Sequence, residues 1–373
     1  MKIAMIGHKR IPSREGGVEV VVEELSTRMV KLNNDVSCYN RKGNHIAGNE
    51  FSNKLANEYK GIKINYVPTI DRKGFAAMTS SFFGAIKSAF GKYDIVHFHA
   101  EGPCAMLWIP KLFGKKCVAT IHGLDWDRAK WGGFATRYIK FGEKIAVKCA
   151  DEIIVLSENI KRYFKDTYNR ETVYVPNGVN EPNIVEANEI KTKYGLEKDG
   201  YILFLGRIVP EKGISYLIKA FKEVKTDKIL VIAGGASDTG EHYNELKELA
   251  KTDDRIIFTG FVQGRILEEL YSNAYVYTLP SDLEGMPLSL LEAMSYSNCV
   301  LGSNIDEIVE VVEDKAVLFE KSNVKDLTEK LQYLCDDENV VNEYKNNARR
   351  YICDKYSWDE VTKQTLEIYE GVQ

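Results

Sequence analysis

The sequence is short of the features that usually announce a function. No apolar run approaches the ~18 residues that cross a bilayer, so no membrane-spanning helix is expected. The opening MKIAMIGHKR turns polar too soon for a signal peptide and reads as a short buried strand. Seven cysteines (Cys38, Cys104, Cys117, Cys149, Cys299, Cys335, Cys353) are odd in number, scattered, and never fall as CxxC. That excludes a zinc ribbon and a disulfide framework, and suits free buried thiols in a reducing cytoplasm. G-x-G-x-x-G is missing, and with it the NAD fingerprint; GxxxxGK[ST] is missing, and with it the nucleoside-triphosphate P-loop. His97 and His99 in VHFH lack an acidic partner at ligand spacing, so no metal site is expected. Low-complexity stretches and repeats of roughly 20–50 residues are absent as well.

What is present is ordinary in bulk and uneven in detail. A hydrophobic fraction of 44% and a charged fraction of 28% are those of a globular protein. At 373 residues the chain is long enough for two domains. Its net charge of -4 conceals a split. Residues 1–180 carry 28 Lys and Arg against 18 Asp and Glu, while the rest carries 22 against 36. The basic half is expected to face something anionic; by charge alone, a membrane surface, a lipid phosphate and nucleic acid all qualify.

Short Val/Ile-rich runs alternate with longer amphipathic ones. KIAMIG, VSCYN, KINYV, DIVHFH, KCVATIH, EIIVLS and TVYVP read as strands in the first half. YILFLG, KILVIAGG, RIIFTG, AYVYTLP and NCVLGS do so in the second. Continuous apolar strands separated by helical patterns such as Val18, Val21, Val22, Leu25 and Met29 indicate two doubly wound, Rossmann-like α/β domains. The turn-rich VPNGVNEP, Val175 to Pro182, is the natural joint, giving domains of 1–178 and 179–357. The final segment WDEVTKQTLEIY has a helical face that fits either domain.

Within PSDLEGMPLSLLEAM, Glu284 and Glu292 sit among Leu283, Met286, Leu288, Leu290, Leu291 and Met294. Carboxylates in such a setting need partners, from elsewhere in the chain or from a polar ligand. Pro287 suits the first helical position, which would leave the amides of Leu288, Ser289 and Leu290 as free donors at a positive dipole end, a phosphate site. Glu284 then lies in the loop before the helix and Glu292 roughly 7 Å along it. The plainer alternative is one solvated glutamate and one first-turn glutamate.

FLGRIVPEKGISYLIKAF reads as strand, tight loop and helix, with Arg207 at the strand end and Lys212-Gly213 opening the helix. A guanidinium fork and an ammonium beside the same sheet edge suit a diphosphate; surface salt bridges are the alternative. In IGHKRIPSREGGVEVVVEEL, Gly16-Gly17 removes side chains just before a helix, allowing a ligand close approach, or simply making a tight turn.

GGVE, TIHG, VPNGV, GRIVPEKG and EGMPLSLLEAM occur in this order over almost the whole chain. Together they resemble the retaining, nucleotide-sugar-dependent glycosyltransferases of family 4, which have the GT-B fold of two Rossmann-like domains facing across a cleft. The opening segment is similar to a bacterial subgroup that includes rhamnosyltransferases of surface-polysaccharide assembly. The resemblance implies that Arg207 and Lys212 hold the donor diphosphate with the amides of Leu288 and Ser289, in the segment that includes Met286 and Pro287. Glu292 would accept from ribose hydroxyls and Glu284 would contact the transferred sugar. Gly16, Gly17 and His122 would serve from the N-terminal side, and the base would lie near Phe261 and Val262. The C-terminal helix, about 358–373, would pack back on the first domain.

Expected partners are therefore a nucleotide sugar and a glycan or lipid-linked acceptor, with no nucleic acid and no cofactor or metal. Arg207, Lys212 and the helix amides would stabilise charge on the leaving diphosphate. Two alternatives remain: a sugar-nucleotide epimerase or phosphorylase on the same fold, and a non-catalytic nucleotide-sugar-binding partner of another transferase. Arg72 to Asp94 and Lys130 to Lys148 mix lysine and arginine with aromatics. Each reads as an interfacial helix on an anionic membrane, here the inner face of the cell membrane, or as a core-packed helix with a basic rim.

Overall fold

Strands that are apolar along their whole length must be covered on both faces, and helices supply the cover. A computed structural model describes the chain except residues 14–15, 43–55, 71, 73, 128–132, 236–239 and 373. It divides into two units, Met1–Asn177 with Trp358–Gln373, and Gly178–Ser357.

The first unit contains β1 (Lys2–Ile6), α1 (Gly17–Lys31), β2 (Asp35–Arg41), β3 (Glu58–Tyr59), β4 (Ile62–Val67) and α2 (Phe75–Phe90). It continues with β5 (Ile95–His99), α3 (Glu101–Cys104), α4 (Trp108–Leu112), β6 (Lys116–Ile121) and a 3-10 turn at Asp125–Asp127. Then come α5 (Gly133–Cys149), β7 (Glu152–Val155), α6 (Glu158–Tyr168) and β8 (Val173–Tyr174). The sheet order is β3-β4-β2-β1-β5-β6-β7-β8, parallel except for β3. Its order reverses direction at β1/β5, the switch point where α/β sheets bind ligands.

The second unit runs α7 (Glu189–Tyr194), β9 (Tyr201–Leu205), a 3-10 turn (Pro210–Lys212), α8 (Ile214–Glu223), β10 (Ile229–Ala233) and α9 (Gly240–Ala250). After β11 (Ile256–Gly260) come α10 (Gly264–Asn273), β12 (Val276–Leu279), α11 (Leu288–Ser295), β13 (Cys299–Ser303) and α12 (Asp306–Val312). The unit ends with β14 (Val317–Phe319), α13 (Val324–Asp336) and α14 (Glu338–Lys355). Its all-parallel sheet, β11-β10-β9-β12-β13-β14, switches direction at β9/β12. Ile202, Phe204, Leu230, Ile232 and Leu301 of its strands pack with Leu217, Phe221 and Leu331 of its helices in one core.

The last helix, α15 (Trp358–Val372), belongs to the first unit, where Arg28 of α1 bonds Asp359 at 2.6 Å and Tyr369 is fully buried. Among the described residues no helix is long and apolar enough to cross a membrane. The core-packed reading of α2 needs correction. This helix buries Ala76, Ser80, Ser81, Gly84, Ala85, Ser88 and Ala89 and leaves Phe75, Phe82, Phe83 and Phe90 exposed. Small residues let its axis lie close to the sheet, with Gly84 against Ile6 and Tyr39, so the aromatic side faces outward. Of the second basic-aromatic segment, residues 130–132 lie outside the described residues, while Phe134 and Phe141 on α5 are exposed.

Candidate active site

The switch point of the second sheet brings the ends of β9 and β12 together, and both carry candidate residues. Arg207 lies half-buried in the loop after β9. Lys212 follows in the 3-10 turn, not at a helix start as expected; α8 begins only at Ile214, after Gly213 in the left-handed region (φ 65). A Cβ on Gly213 would stand 1.9 Å from the Pro280 carbonyl oxygen, so glycine is required where this loop crosses the end of β12. The backbone amide of Asp282 donates to the Glu211 carbonyl at 2.8 Å, tying the two loops together.

Across that junction Lys212 Nζ donates to Glu284 Oε1 at 2.5 Å, and Ser281 Oγ donates to the same oxygen at 2.6 Å. The ion pair is nearly buried, with side-chain exposures of 12% and 9%. This answers the question the sequence posed about Glu284: its partner is Lys212, the residue also assigned to the diphosphate. An ammonium has three donors and the pair uses one, so Lys212 stays able to bond phosphate. Both bonds fall on Oε1, which leaves Oε2 outside them.

The start of α11 also differs from expectation. Pro287 is the cap residue, extended at φ -74 and ψ 108, and Leu288 is the first helical residue. The amide of Leu290 donates to the Pro287 carbonyl at 3.1 Å. The donors at this end are therefore Leu288 and Ser289, not Leu290. Met286 and Pro287 are buried, and Leu288 and Ser289 half-buried. One turn on, Glu292 accepts from the Tyr271 hydroxyl at 3.1 Å. The Tyr277 hydroxyl lies 2.8 Å from Ser289 Oγ. Burial raises the pKa of both phenols, so they remain neutral donors beneath the helix. Val262 sits half-buried in the loop after β11, beside exposed Phe261.

In the first unit, Gly16 caps α1 and Gly17 opens it. A Cβ at Gly16 would meet Glu19 Oε2 at 2.4 Å, and Glu19 Oε1 accepts the amide of Lys9 at 2.8 Å. Gly16 thus has an internal reason to be glycine; neighbouring Arg14 and Glu15 lie outside the described residues. His122 follows β6, with its Nε2 3.1 Å from His99 Nδ1. His97 bridges Tyr369 Oη at 2.6 Å and Thr120 Oγ1 at 2.7 Å. Burial keeps His97, His8 and His99 neutral, lowering His97 to about 3, His8 to about 4, and His99 well below its ordinary value. Among the described residues no three His, Cys, Asp or Glu side chains assemble as a metal site.

Sequence reasoning missed Tyr271 and Tyr277, and it named His99 without its partner. Tyrosine within apolar strands and helices carries no mark of a polar task. His99 meets His122 only through the register that sets His99 against Thr120 on the next strand.

Two largely parallel, Rossmann-like α/β sheets in one chain are the fold of the GT-B class of glycosyltransferases. The chain belongs to glycosyltransferase family 4: residues 15–181 match the family described as Glycosyltransferase Family 4, and residues 186–351 match Glycosyl transferases group 1. It is 28% identical to the alpha-maltose-1-phosphate synthase of Mycolicibacterium smegmatis over 100% of both chains. It is 29% identical to the UDP-Gal:alpha-D-GlcNAc-diphosphoundecaprenol alpha-1,3-galactosyltransferase of Escherichia coli, covering 71% of this chain and 72% of that one. In fold it is similar to Anabaena HepE, a structure in complex with UDP and glucose, with a TM-score of 0.82 at 15% identity over 100% of both chains.

Proposed function

We propose that this glycosyltransferase moves a hexosyl or deoxyhexosyl group from a nucleotide-diphosphate donor to a glycan or lipid-linked saccharide. We take the reaction to retain anomeric configuration and to proceed without metal, in cell-surface polysaccharide synthesis. The observation that carries this reading is the Lys212–Glu284 pair at the β9/β12 switch point, beside Arg207 and the two donor amides of α11. Arg207, Lys212 and the amides of Leu288 and Ser289 hold the diphosphate; Glu284 Oε2 accepts from the sugar, Glu292 from ribose, and the base lies by Val262. His122, Gly16 and Gly17 keep the roles the family resemblance gives them.

As the bond from the anomeric carbon to the phosphate oxygen breaks, negative charge collects on the diphosphate, where the cations are already aimed. The acceptor oxygen bonds to the anomeric carbon from the same face, and its proton passes to the leaving phosphate oxygen. A covalent glycosyl–Glu284 adduct, if trapped, would overturn this route in favour of a carboxylate nucleophile. The similarity of the opening segment to rhamnosyltransferases makes a deoxyhexosyl donor the first to test. The galactosyltransferase relative acts, by its name, on a diphosphoundecaprenol-linked acceptor, which supports a lipid-linked saccharide here.

The test is a thermal-shift panel of nucleotide sugars followed by turnover assays. A donor at about 100 times its Kd adds roughly 2.7 kcal/mol to apparent stability. One sugar nucleotide is expected to raise the melting temperature and release its nucleoside diphosphate in the presence of acceptor. Arg207→Ala with Lys212→Ala should abolish both; unchanged binding and turnover in that variant would refute the assignment. Binding of a donor without hydrolysis or transfer would favour the non-catalytic partner.

The exposed aromatic stripe of α2, continued by Trp108, Leu112 and Phe113 at α4, supports peripheral contact with an anionic membrane from the cytoplasmic side. Phe90 and Phe113 pack edge to face with centroids 4.7 Å apart. Vesicles rich in anionic lipid should co-sediment the protein, and Phe83→Ser with Phe90→Ser should release it. Equal sedimentation with neutral vesicles would retire the idea.

A further inference from the structure

The first sheet also has a switch point, and its end of β5 carries a cluster that the reaction above does not use. Ala100, just after β5, has φ 73 and ψ 154, a conformation nearly reserved for glycine. It turns the chain so that Glu101, the first residue of α3, points inward and is fully buried. Glu143 of α5 is fully buried as well. Among the described residues no donor reaches Glu101 Oε1, and the Glu143 carboxyl group is its neighbour. Two carboxyl groups in contact away from water cannot both ionise, so the pair holds a proton at neutral pH.

The two members differ in the donors around them. Glu143 accepts from Trp126 Nε1 at 3.0 Å, from the Tyr163 hydroxyl at 3.0 Å and from the Tyr168 hydroxyl. Three side-chain donors thus converge on the Glu143 carboxyl group. Glu101 accepts a single amide, that of Asp125 at 2.8 Å. Burial first, then the neighbouring Glu143 carboxyl group and the charge of Asp125, raise its pKa far above the ordinary carboxylate range. Other titratable groups facing the pair are Cys104 from α3 and the phenols of Tyr163 and Tyr168 from α6, all raised chiefly by burial. One cation, Lys140 of α5, stands by the cluster, its Nζ 4.0 Å from the centroid of the Trp126 ring.

Asp125 and Trp126 form the 3-10 turn three residues beyond His122. Each carboxyl group thus grips one residue of that turn, Glu101 through a backbone amide and Glu143 through an indole. We propose that Glu101 and Glu143 share one proton and act as positioning residues, fixing the segment from His122 to Asp127 at the end of β6 for sugar transfer. This rests on the role given to His122 above. A neutral Glu101 can hold both Glu143 and the Asp125 amide; an ionised one repels Glu143 and loosens the turn.

Steady-state kinetics of the full chain across neutral and alkaline pH, with the indole N–H resonance of Trp126 as a local probe, test this. Glu101→Gln keeps a neutral donor and acceptor, so kcat at neutral pH should stay within about threefold and the resonance should hold its position. The wild type should lose kcat on the alkaline side, and Glu101→Gln should lack that limb. Glu143→Gln should lower kcat by about tenfold or more with donor KM within about twofold, and displace the resonance. The proposal is overturned if Glu101→Gln is as damaging as Glu143→Gln, or if Glu143→Gln moves neither readout. Should Glu143→Gln fail to fold, Trp126→Phe, which cuts only the turn's side of the contact, decides: kcat within about twofold of wild type refutes the proposal. If His122→Ala turns over normally while Glu143→Gln still displaces the resonance, the reading of His122 fails and the grip on the turn stands.

Discussion

Lys212 and Glu284 hold one another and, in the proposed reaction, also meet the donor, and substitutions can separate the two tasks. Lys212→Met strands a nearly buried carboxylate, and breaking such a pair costs about 3–5 kcal/mol of stability. Adding Glu284→Gln removes the stranded charge and should recover most of that loss in urea unfolding. Turnover should stay depressed by roughly ten- to a hundredfold, since about 1.5–3 kcal/mol of charged bonding to phosphate is gone. A stable double variant with wild-type turnover would confine the pair to a structural role. The buried histidines make a pH prediction. His8 and His97 have folded values of about 4 and about 3 against 6.5 unfolded, and His99 shifts the same way. The unfolded chain therefore binds protons below pH 6.5 that the native state refuses, and stability falls as pH drops toward 4. Each ring removes on the order of 1–2 kcal/mol by pH 5. Urea unfolding at pH 7 and pH 5 checks this, and equal stabilities would refute it. Glu101 acts oppositely. Its raised pKa contributes stability in acid that fades as pH climbs above the ordinary carboxylate range. At this scale the sequence exposed the problem of Glu284 and Glu292 without its solution. Their partners Lys212 and Tyr271 stand 72 and 21 residues away, and only the fold brings them near.

At the scale of elements, the apolar runs were readable because a strand covered on both faces is oily from end to end, and every run quoted above contains a strand. The exceptions are β3, with two residues, and β14, with three; β8, as short as β3, was read only because the longer run TVYVP surrounds it. Helix starts were harder. Pro287 fits either side of the boundary, and the extended ψ of 108 that makes it a cap is not written in its identity. The α2 helix misleads in another way: hydrophobic size points outward there, because the sheet selects small residues for close approach. One element invites a direct test. In Gly213→Ala the φ of 65 and the Pro280 carbonyl at 1.9 Å both oppose the new methyl. A loss of about 1–3 kcal/mol is expected, with weaker nucleoside-diphosphate binding by calorimetry, because the same loop carries Lys212. Undiminished stability would mean the loop moves freely off the end of β12.

For the whole molecule, length, the alternation of strand and helix patterns and the Val175–Pro182 joint together pointed to two domains, while the ownership of the helix at 358–372 was unreadable from its periodicity. The second unit, Gly178–Ser357, is interpolated into the first, and the chain segments leading in and out of it meet where the Val179 amide donates to the Tyr356 carbonyl at 2.7 Å. Expressed alone, residues 178–357 should fold cooperatively, having a sheet and core of their own. Residues 1–177 alone should not, since they lack Tyr369, whose hydroxyl caps the buried His97. A soluble, cooperatively melting 1–177 fragment would contradict this.

That interpolation has a consequence for biosynthesis. A ribosome makes residues 1–177 before the second lobe, yet their closing helix emerges only after it, so the first lobe waits, unfinished, through the translation of about 180 intervening residues. The later-made lobe is free to mature earlier. A premature stop just ahead of Trp358 would therefore injure the earlier-made lobe and spare the later one.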